Sequence, residues 1–437
     1  MLVTQSTYVT LDIGSSSVRV MVGEVRRDSV NMIGVGEAKS RGIKKGAIVD
    51  IDETVNSIKE AVEKAERMIN ASINHVVVGI TGNHIQMQRC HGVVAVSSED
   101  REIGDEDVNR VMDTAQVVSI PPDREIIGLV PKQFILDSRD EIKDPRGMIG
   151  VRLEMEGTLI TGSKSTILNM LRCVERAGLE IADILLQPLA AGDVALSEDE
   201  KALGVALVDL GGGSTTVTVF DQGDLVGTRQ IPVGGDHITN DISVGFKTSK
   251  EEADLVKLNN GHAYVPTASD EEDDSFEVSK IGSREQQLFT QWQLANIIEP
   301  RLAETFELVD KEIKRMGYDE LPGGFVLIGG SAKIPGIMEL AEEIFDQNVR
   351  IAIPDYIGVR EPYFTNGIGL MLFAHKHMRI QGKDLSAKLS QPGHQEQQGS
   401  KQVKREQVKK ETPARNQSGG KGSVKDKVSN MFKSFFE

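Results

Sequence analysis

Cysteine and tryptophan are nearly missing from this chain: two Cys and one Trp in 437 residues, with aromatics at 4%. Cys90 and Cys173 cannot build a disulfide framework, and no Cys/His spacing of the zinc type accompanies them. The eight histidines show no ligand-like spacing either. His75, His84 and His91 lie close in sequence, at positions of mixed facing, and read as ordinary polar residues. No apolar run approaches the ~18–20 residues of a membrane span. The start, MLVTQSTYVTLD, runs into a strand without the basic-then-apolar pattern of a signal peptide. These absences predict a cytoplasmic protein that meets a membrane, if at all, at its surface. There is no GxSxG elbow and no HExxH, so covalent catalysis has no candidate.

Charge is present but unevenly placed. From Gln381 onward there are 12 basic and 6 acidic residues, a net of +6. The preceding part holds 38 and 60, a net of -22, and together they give the formal -16. A body so acidic is a poor phosphate-neutralising surface, which argues against nucleic acid as its partner. The basic tail taken alone suits nucleic acid or an anionic membrane. The length allows two to four domains.

Tyr8–Val25 reads as two short strands around a Gly/Ser turn. Asp52 is placed to cap a helix reaching about Asn70, because Val55, Ile58, Val62, Ala65 and Ile69 share one helical face. HVVVGITG (75–82) is a buried strand. From about 83 to 160 short alternating strands mix with one helix near Asp105–Gln116, the texture of a small inserted α+β module. A helix follows near Ser165–Arg176. At Gly204 the opening pattern returns as GVALVDLGGGSTTVTVFDQGDL, with Asp209 where Asp12 stood. A repeat 197 residues apart implies two similar halves of one fold, not a solenoid. PTASDEEDDS (266–275) reads as a solvated acidic loop. A long helix is predicted over Gln291–Met316 and the end of the ordered body near Arg379. Residues 383–422 have the composition of a disordered linker.

Three stretches share one design: DIGSSSVR (12–19), DLGGGSTT (209–216) and IGGSAKIPG (328–336). Glycine lets backbone N–H groups approach a phosphate, and Ser/Thr hydroxyls add donors. Asp12 and Asp209 stand just before the first two turns, where carboxylates hold Mg²⁺ through water. One such turn is more often merely structural. Three in this order, two with matched aspartates, predict a nucleotide clasped between two halves. EGTLITGSKST (156–166) looks like a P-loop, but Ser163 separates Gly162 from Lys164, and that adjacency is what aims the Lys at the phosphates.

The order of these motifs resembles the actin, Hsp70 and sugar-kinase ATPase superfamily. DIGSSSVR is similar to its phosphate-1 motif, LQPLAAGDVAL to connect-1, DLGGGST to phosphate-2, IGGSAKIPG to the adenosine motif and TNGIGLMLFA (365–374) to connect-2. Within that group KKGAIVDIDET, GNHIQ, EGTLITGSK, CVERAGLE, LGGGSTT and GGFVLIGG closely resemble the FtsA family of bacterial division proteins, in its Gram-positive form. The likeness spans about residues 8–380 and returns in the last helix.

The resemblance implies an α/β, actin-like ATPase fold of two RNase H-like halves with an inserted small α+β subdomain. It implies subdomain 1A over 1–83, 162–203 and about 350–382, and a self-associating subdomain 1C over 84–161. It implies subdomain 2A over 204–245 and 317–349, and subdomain 2B over 246–316, which docks the C-terminal peptide of FtsZ. Arg301 and Glu304 in IIEPRLAE are the expected contacts, with an ordinary exposed helix face as the alternative. ATP and Mg²⁺ are the implied ligands. Gly14, Ser15, Ser16 and Arg19 would meet the phosphates from one side, and Gly211, Gly212, Gly213, Ser214 and Thr215 from the other. Gly329, Gly330 and Ser331 would lie against adenosine, and Glu251 would reach the ribose. Gln187 falls where relatives orient the attacking water; a neutral amide positions water but is a poor base, so hydrolysis is expected to be slow at most.

The chain ends in SVKDKVSNMFKSFFE. Val424, Val428, Met431, Phe432, Phe435 and Phe436 form one helical stripe, with Lys425, Lys427 and Lys433 outside it. That is the pattern of an interfacial amphipathic helix too short to span a bilayer; a helix that packs on a partner's groove or on its own body is the alternative. Partial burial of six apolar side chains contributes ~1 kcal/mol each and each Lys about 1 kcal/mol at an anionic leaflet. Ordering the peptide costs ~1–2 kcal/mol per residue before helix hydrogen bonds offset it. One helix would bind weakly and a row of protomers firmly.

The resulting expectation is an ATP-binding adaptor that polymerises on the cytoplasmic face of the cell membrane at the septum. It would anchor FtsZ filaments there and help recruit other divisome proteins. A sugar or acetate kinase would need a dedicated base, an Hsp70-type chaperone a large substrate domain after the ATPase, and an MreB-type protein would lack the 84–161 insert.

Overall fold

Tyr8, Val9, Thr10 and Leu11 are all buried, so both faces of the first strand, β1 (Ser6–Ile13), are covered. The computed structural model describes residues 6–381 apart from 27–28, 45, 83, 272–274 and 283–285, together with residue 389. β2 (Ser17–Arg26) and β3 (Ser29–Lys39) turn back antiparallel beside β1. A two-residue hairpin, β4 (Ile43–Lys44) and β5 (Ala47–Ile48), leads into α1 (Ile51–Ile69). This helix covers the sheet with Val55, Ile58, Ala61, Val62 and Ala65. Its cap is Asp50, not Asp52: Asp50 Oδ1 accepts from Glu53 N at 3.1 Å, and Asp52 lies in the first turn. Asn70 ends it in the left-handed region, at φ 51°. Helix and sheet approach closely at Gly36, where a Cβ would come 1.9 Å from Ala61 O.

β6 (His75–Ile80) pairs parallel with β1. The insertion follows: β7 (Gln86–Ala95), α2 (Asp105–Ala115), β8 (Arg124–Leu136), β9 (Arg139–Ile142) and β10 (Arg152–Ser163). Its sheet runs β7-β10-β8-β9 and has its own core around Val111, Met112, Leu153 and Met155. The P-loop-like stretch is mostly this long strand, antiparallel to both neighbours, and Lys164 is ion-paired with Glu125. It is no phosphate loop. α3 (Lys164–Arg176) returns the chain to β11 (Glu180–Leu186), parallel to β6, which completes the order β11-β6-β1-β2-β3.

α4 (Gln187–Ala195) and α5 (Glu198–Leu203) cross to the second half. There β12 (Val205–Leu210), β13 (Thr215–Asp221) and β14 (Asp224–Ile231) repeat the antiparallel meander of β1–β3. α6 (Gly235–Phe246), α7 (Lys250–Asn260), the hairpin β15 (Phe276–Ser279) and β16 (Gln286–Phe289), and α8 (Gln291–Arg315) come next. β17 (Phe325–Ile328), α9 (Ile337–Phe345) and β18 (Val349–Ile351) then add two parallel strands, giving β14-β13-β12-β17-β18. Meander plus two parallel strands is the same order in both halves, as the repeated motif predicted. α10 (Thr365–Gln381) recrosses to the first half and meets α4 at Gly369, where a Cβ would come 2.4 Å from Ala190 O.

In the described part of the acidic loop, Asp270 accepts from Thr290 Oγ1 at 3.0 Å, which ties the loop to the α8 N-cap. Leu389, inside the expected linker, rests on the first half's core. The rest of 383–422 and the expected helix at 423–437, with its apolar stripe and lysines, lie outside the described residues. Among the described residues no helix is long and apolar enough to cross a membrane.

Candidate functional site

The two halves face each other across a cleft of about 650 Å³, a volume suited to a cofactor-sized ligand. Strand pairing sets its floor. Asp12 is the last residue but one of β1, opposite Arg19, and Asp209 the last but one of β12, opposite Thr216. Each aspartate takes an amide donor from a crossing helix. Gln187 Nε2, at the start of α4, donates to Asp12 Oδ1 at 3.0 Å; Asn366 Nδ2, in the first turn of α10, donates to Asp209 Oδ2 at 2.8 Å. Burial pushes the Asp12 carboxyl above its ordinary range, against the opposing Arg19 guanidinium 3.9 Å away. Burial pushes Asp209 up to about 6, with Asn366 opposing and the Asp12 charge adding to it.

The glycine turns form the walls. Gly14 N donates to Ser17 O at 3.0 Å, which closes the first turn. Ser16 Oγ donates to Asp236 Oδ1 at 3.0 Å across the cleft. A Cβ on Gly212 would sit 1.7 Å from Ser16 Oγ, so the two phosphate-type turns touch. The second turn is braced by the start of α6: Gly235 N and Asp236 N donate to Gly211 O and Gly212 O at 3.0 and 2.8 Å. Gly329 takes φ 90° where its Cβ would come 2.3 Å from Asp209 Oδ1. Only glycine gives the backbone that approach without strain.

Of the residues singled out in the sequence, Asp12, Gly14, Ser15, Ser16, Arg19, Gln187, Asp209, Gly211, Gly212, Gly213, Ser214, Gly329, Gly330 and Ser331 line this cleft. Thr215 and Glu251 do not. Strand side chains alternate, so Ser214 and Thr216 face the cleft while Thr215 is fully buried and donates to Val233 O at 2.9 Å. Glu251 is exposed in the first turn of α7; the cleft-facing residues of that helix are Asp254, Lys257 and Leu258. Lys257 Nζ reaches Thr239 Oγ1 at 2.6 Å, Asp254 Oδ1 at 2.7 Å and Gly235 O at 3.2 Å. Sequence reasoning missed Asn366, Asp236, Lys257, Lys333 and Tyr363. Asn366 lay inside the recognised TNGIGLMLFA stretch. Lys257 falls three residues after Asp254 on one helix. Tyr363 carried no local signal.

Arg301 and Glu304 lie on α8, away from the cleft and paired with each other. Arg301 also donates through Nε and Nη2 to both Asp241 oxygens, at 2.6 and 3.2 Å, and so ties α8 to α6. Glu304 is half exposed.

A family model described as cell division protein FtsA matches residues 206–369, and one described as the SHS2 domain inserted in FtsA matches 82–161. The Bacillus subtilis cell division protein FtsA is 57% identical over 389 residues, covering 89% of this chain and 88% of the relative. This chain belongs to the FtsA family. The Streptococcus pneumoniae FtsA is 43% identical, covering 84% of this chain and 80% of that one. The Escherichia coli FtsA is 34% identical, covering 86% and 91%. Among solved structures, the PilM-PilN type IV pilus biogenesis complex matches with TM-score 0.56 at 15% identity, over 84% of this chain and 98% of that one. MreB5 of Spiroplasma citri bound to ADP matches with TM-score 0.52 at 14% identity, over 86% and 99%. The FtsA chain therefore has the actin-like ATPase fold, with the SHS2 insertion as its additional α+β subdomain.

Proposed function

We propose that this FtsA-family protein binds ATP in the interdomain cleft, polymerises with copies of itself and anchors FtsZ filaments to the cytoplasmic face of the cell membrane at the division septum. The observation that carries the reading is the duplicated cleft: two meanders, each presenting a glycine turn and a buried Asp held by an amide. Polyphosphate would suit the glycine backbone and the Ser15, Ser16 and Ser214 side chains that line the cleft. Gly14, Ser15, Ser16 and Arg19 would take the β- and γ-phosphates with Gly211–Ser214. Gly329–Ser331 would pack on adenosine.

Mg²⁺ fits the donor set. Asp12 and Asp209 are two buried carboxylates in one cleft, and the charge of Asp12 helps to raise Asp209. A divalent cation would relieve that repulsion. Among the described residues no group of three or more His, Cys, Asp or Glu is assembled for a metal. Mg²⁺ would neutralise phosphate charge there. Gln187 carries a neutral amide, which is a poor base, and gives one N–H to Asp12, so it would orient water and not remove its proton. Slow ATPase activity at most follows, with ATP acting as a conformational ligand.

The FtsZ C-terminal peptide would meet α8 at Glu304 and Arg301, the insertion would serve self-association, and other divisome proteins would join the assembled filament. Val424, Val428, Met431, Phe432, Phe435 and Phe436 would enter the membrane, with Lys425, Lys427 and Lys433 at anionic headgroups. The test is co-sedimentation with anionic phosphatidylglycerol liposomes and ATP, comparing the full chain with one ending at Gly422, with and without FtsZ. The full chain alone should pellet and carry FtsZ down. If both chains pellet equally, or neither does, the terminal segment is not the anchor.

A further inference from the structure

Tyr363 stands on the short turn Pro362–Phe364 that feeds α10, in the wall of the cleft. Two cations from opposite halves lie over its ring. Arg19, from β2, has its guanidinium carbon 4.7 Å from the ring centre, and Lys333, from the turn after β17, has Nζ at 5.5 Å. Both distances fall within cation–π range, and both cations also line the cleft. Each has a carboxylate partner of its own: Glu37 at 3.0 Å for Arg19, with Asp12 at 3.9 Å, and Glu361 at 3.1 Å for Lys333. Each cation thus keeps a counter-ion from its own surroundings, and the ring is a group that both approach. One ring carries both cations near the same end of the cleft.

Resting on the nucleotide reading above, we propose that Tyr363 is a positioning residue of that site: its ring holds Arg19 and Lys333 together so that the two halves present their cations to one polyphosphate. The ring does this through its π face, so the hydroxyl is dispensable. The arrangement also couples phosphate charge to domain approach, since anything that draws Arg19 inward acts on a ring that the second half's Lys333 shares.

The experiment is equilibrium binding of ATP, ADP and AMP to the purified full chain and to Tyr363→Leu, Tyr363→Phe, Lys333→Gln and the Tyr363→Leu/Lys333→Gln pair, with circular dichroism melting as the control for folding. Tyr363→Leu should weaken ATP about five- to thirty-fold, ADP less and AMP least, while Tyr363→Phe stays within about threefold. The loss caused by Tyr363→Leu should shrink when Lys333 is already Gln, because the two act through one contact. An equal loss for all three nucleotides would show the ring serving the base and would overturn the proposal. So would failure of Phe to substitute, or losses that simply multiply in the pair. If Tyr363→Leu does not fold, the Phe variant and Lys333→Gln still decide it: Phe must bind as the unaltered chain does, and Lys333→Gln must lose ATP more than AMP. No ATP binding by the unaltered chain would remove the nucleotide reading and this inference together; binding that Tyr363→Leu leaves unchanged would remove the inference alone.

Discussion

Ser16 Oγ donates to Asp236 Oδ1 at 3.0 Å, joining residues 220 positions apart across the mouth of the cleft. The bond links the first phosphate-type turn to the first turn of α6, and the second turn lies directly beneath it. Under the proposed nucleotide reading, a carboxylate at this place would oppose an incoming phosphate, and it occupies the Ser16 hydroxyl.

Replacing Asp236 by Asn should therefore tighten ATP in the absence of Mg²⁺, by about three- to tenfold for one removed charge near the phosphates. Calorimetric titration in EDTA reads this. Equal or weaker binding would place Asp236 outside the phosphate path.

Asn366→Ala removes the donor 2.8 Å from Asp209 Oδ2 and leaves a buried carboxylate without that partner. The expected loss is about 1–3 kcal/mol, a fall in melting temperature of several degrees for a chain of this size. Asp209→Asn, by contrast, should leave ATP binding measurable but blunt its dependence on Mg²⁺. Melting curves with and without Mg²⁺ and ATP separate the two effects.

The Glu200–Arg350 pair supplies a pH dependence. Arg350 donates through Nε and Nη2 to both Glu200 oxygens at 2.7 Å and, with the N–H and hydroxyl of Ser197, holds that carboxyl down at about 2 instead of 4.5. A carboxyl depressed in the folded state contributes stability that is complete above its unfolded value and disappears as pH falls from about 4.5 to about 2. That gap corresponds to roughly 3 kcal/mol at most, and solvent screening at Arg350, 42% exposed, reduces it to about 1–2 kcal/mol. Urea unfolding of Arg350→Gln at pH 7 should show the larger part of this loss, since the Ser197 donors stay in place. The difference from the unaltered chain should narrow steadily below pH 4.5. A difference that stays constant down to pH 2.5 would assign it to the Arg350 bond with Ala195 O instead.

Phe432→Glu or Phe435→Glu should release the chain from anionic liposomes, since each places a charge in the apolar stripe. Adding residues to the 383–422 stretch should change little. Pelleting assays check both; retention of the Glu variants would move the membrane contact elsewhere.

Much of the fold was legible because its signals are local. The 3.6-residue periodicity of α1, the glycine turns and the repeated strand–Asp–turn pattern follow from short-range sterics and side-chain spacing. The cap at Asp50 was misplaced by two residues because both aspartates are good caps, and only backbone geometry chooses between them. Thr215 and Glu251 were assigned to the nucleotide by the family resemblance. The pleat of β13 turns Thr215 into the core, and the cleft side of α7 begins at Asp254.

By itself the sequence determined that there are two similar halves, that each carries a glycine turn after an Asp, and that apolar residues recur at helical spacing among lysines in SVKDKVSNMFKSFFE. Tertiary structure alone decided which distant groups meet. The crossing of α4 and α10 at Gly369 brings Gln187 to Asp12 and Asn366 to Asp209, and the turn that feeds α10 puts Tyr363 within reach of Arg19 and Lys333. Those pairings span tens to hundreds of residues, and no local propensity specifies them; they exist only where two packed sheets and two crossing helices hold the side chains within a few ångströms of one another.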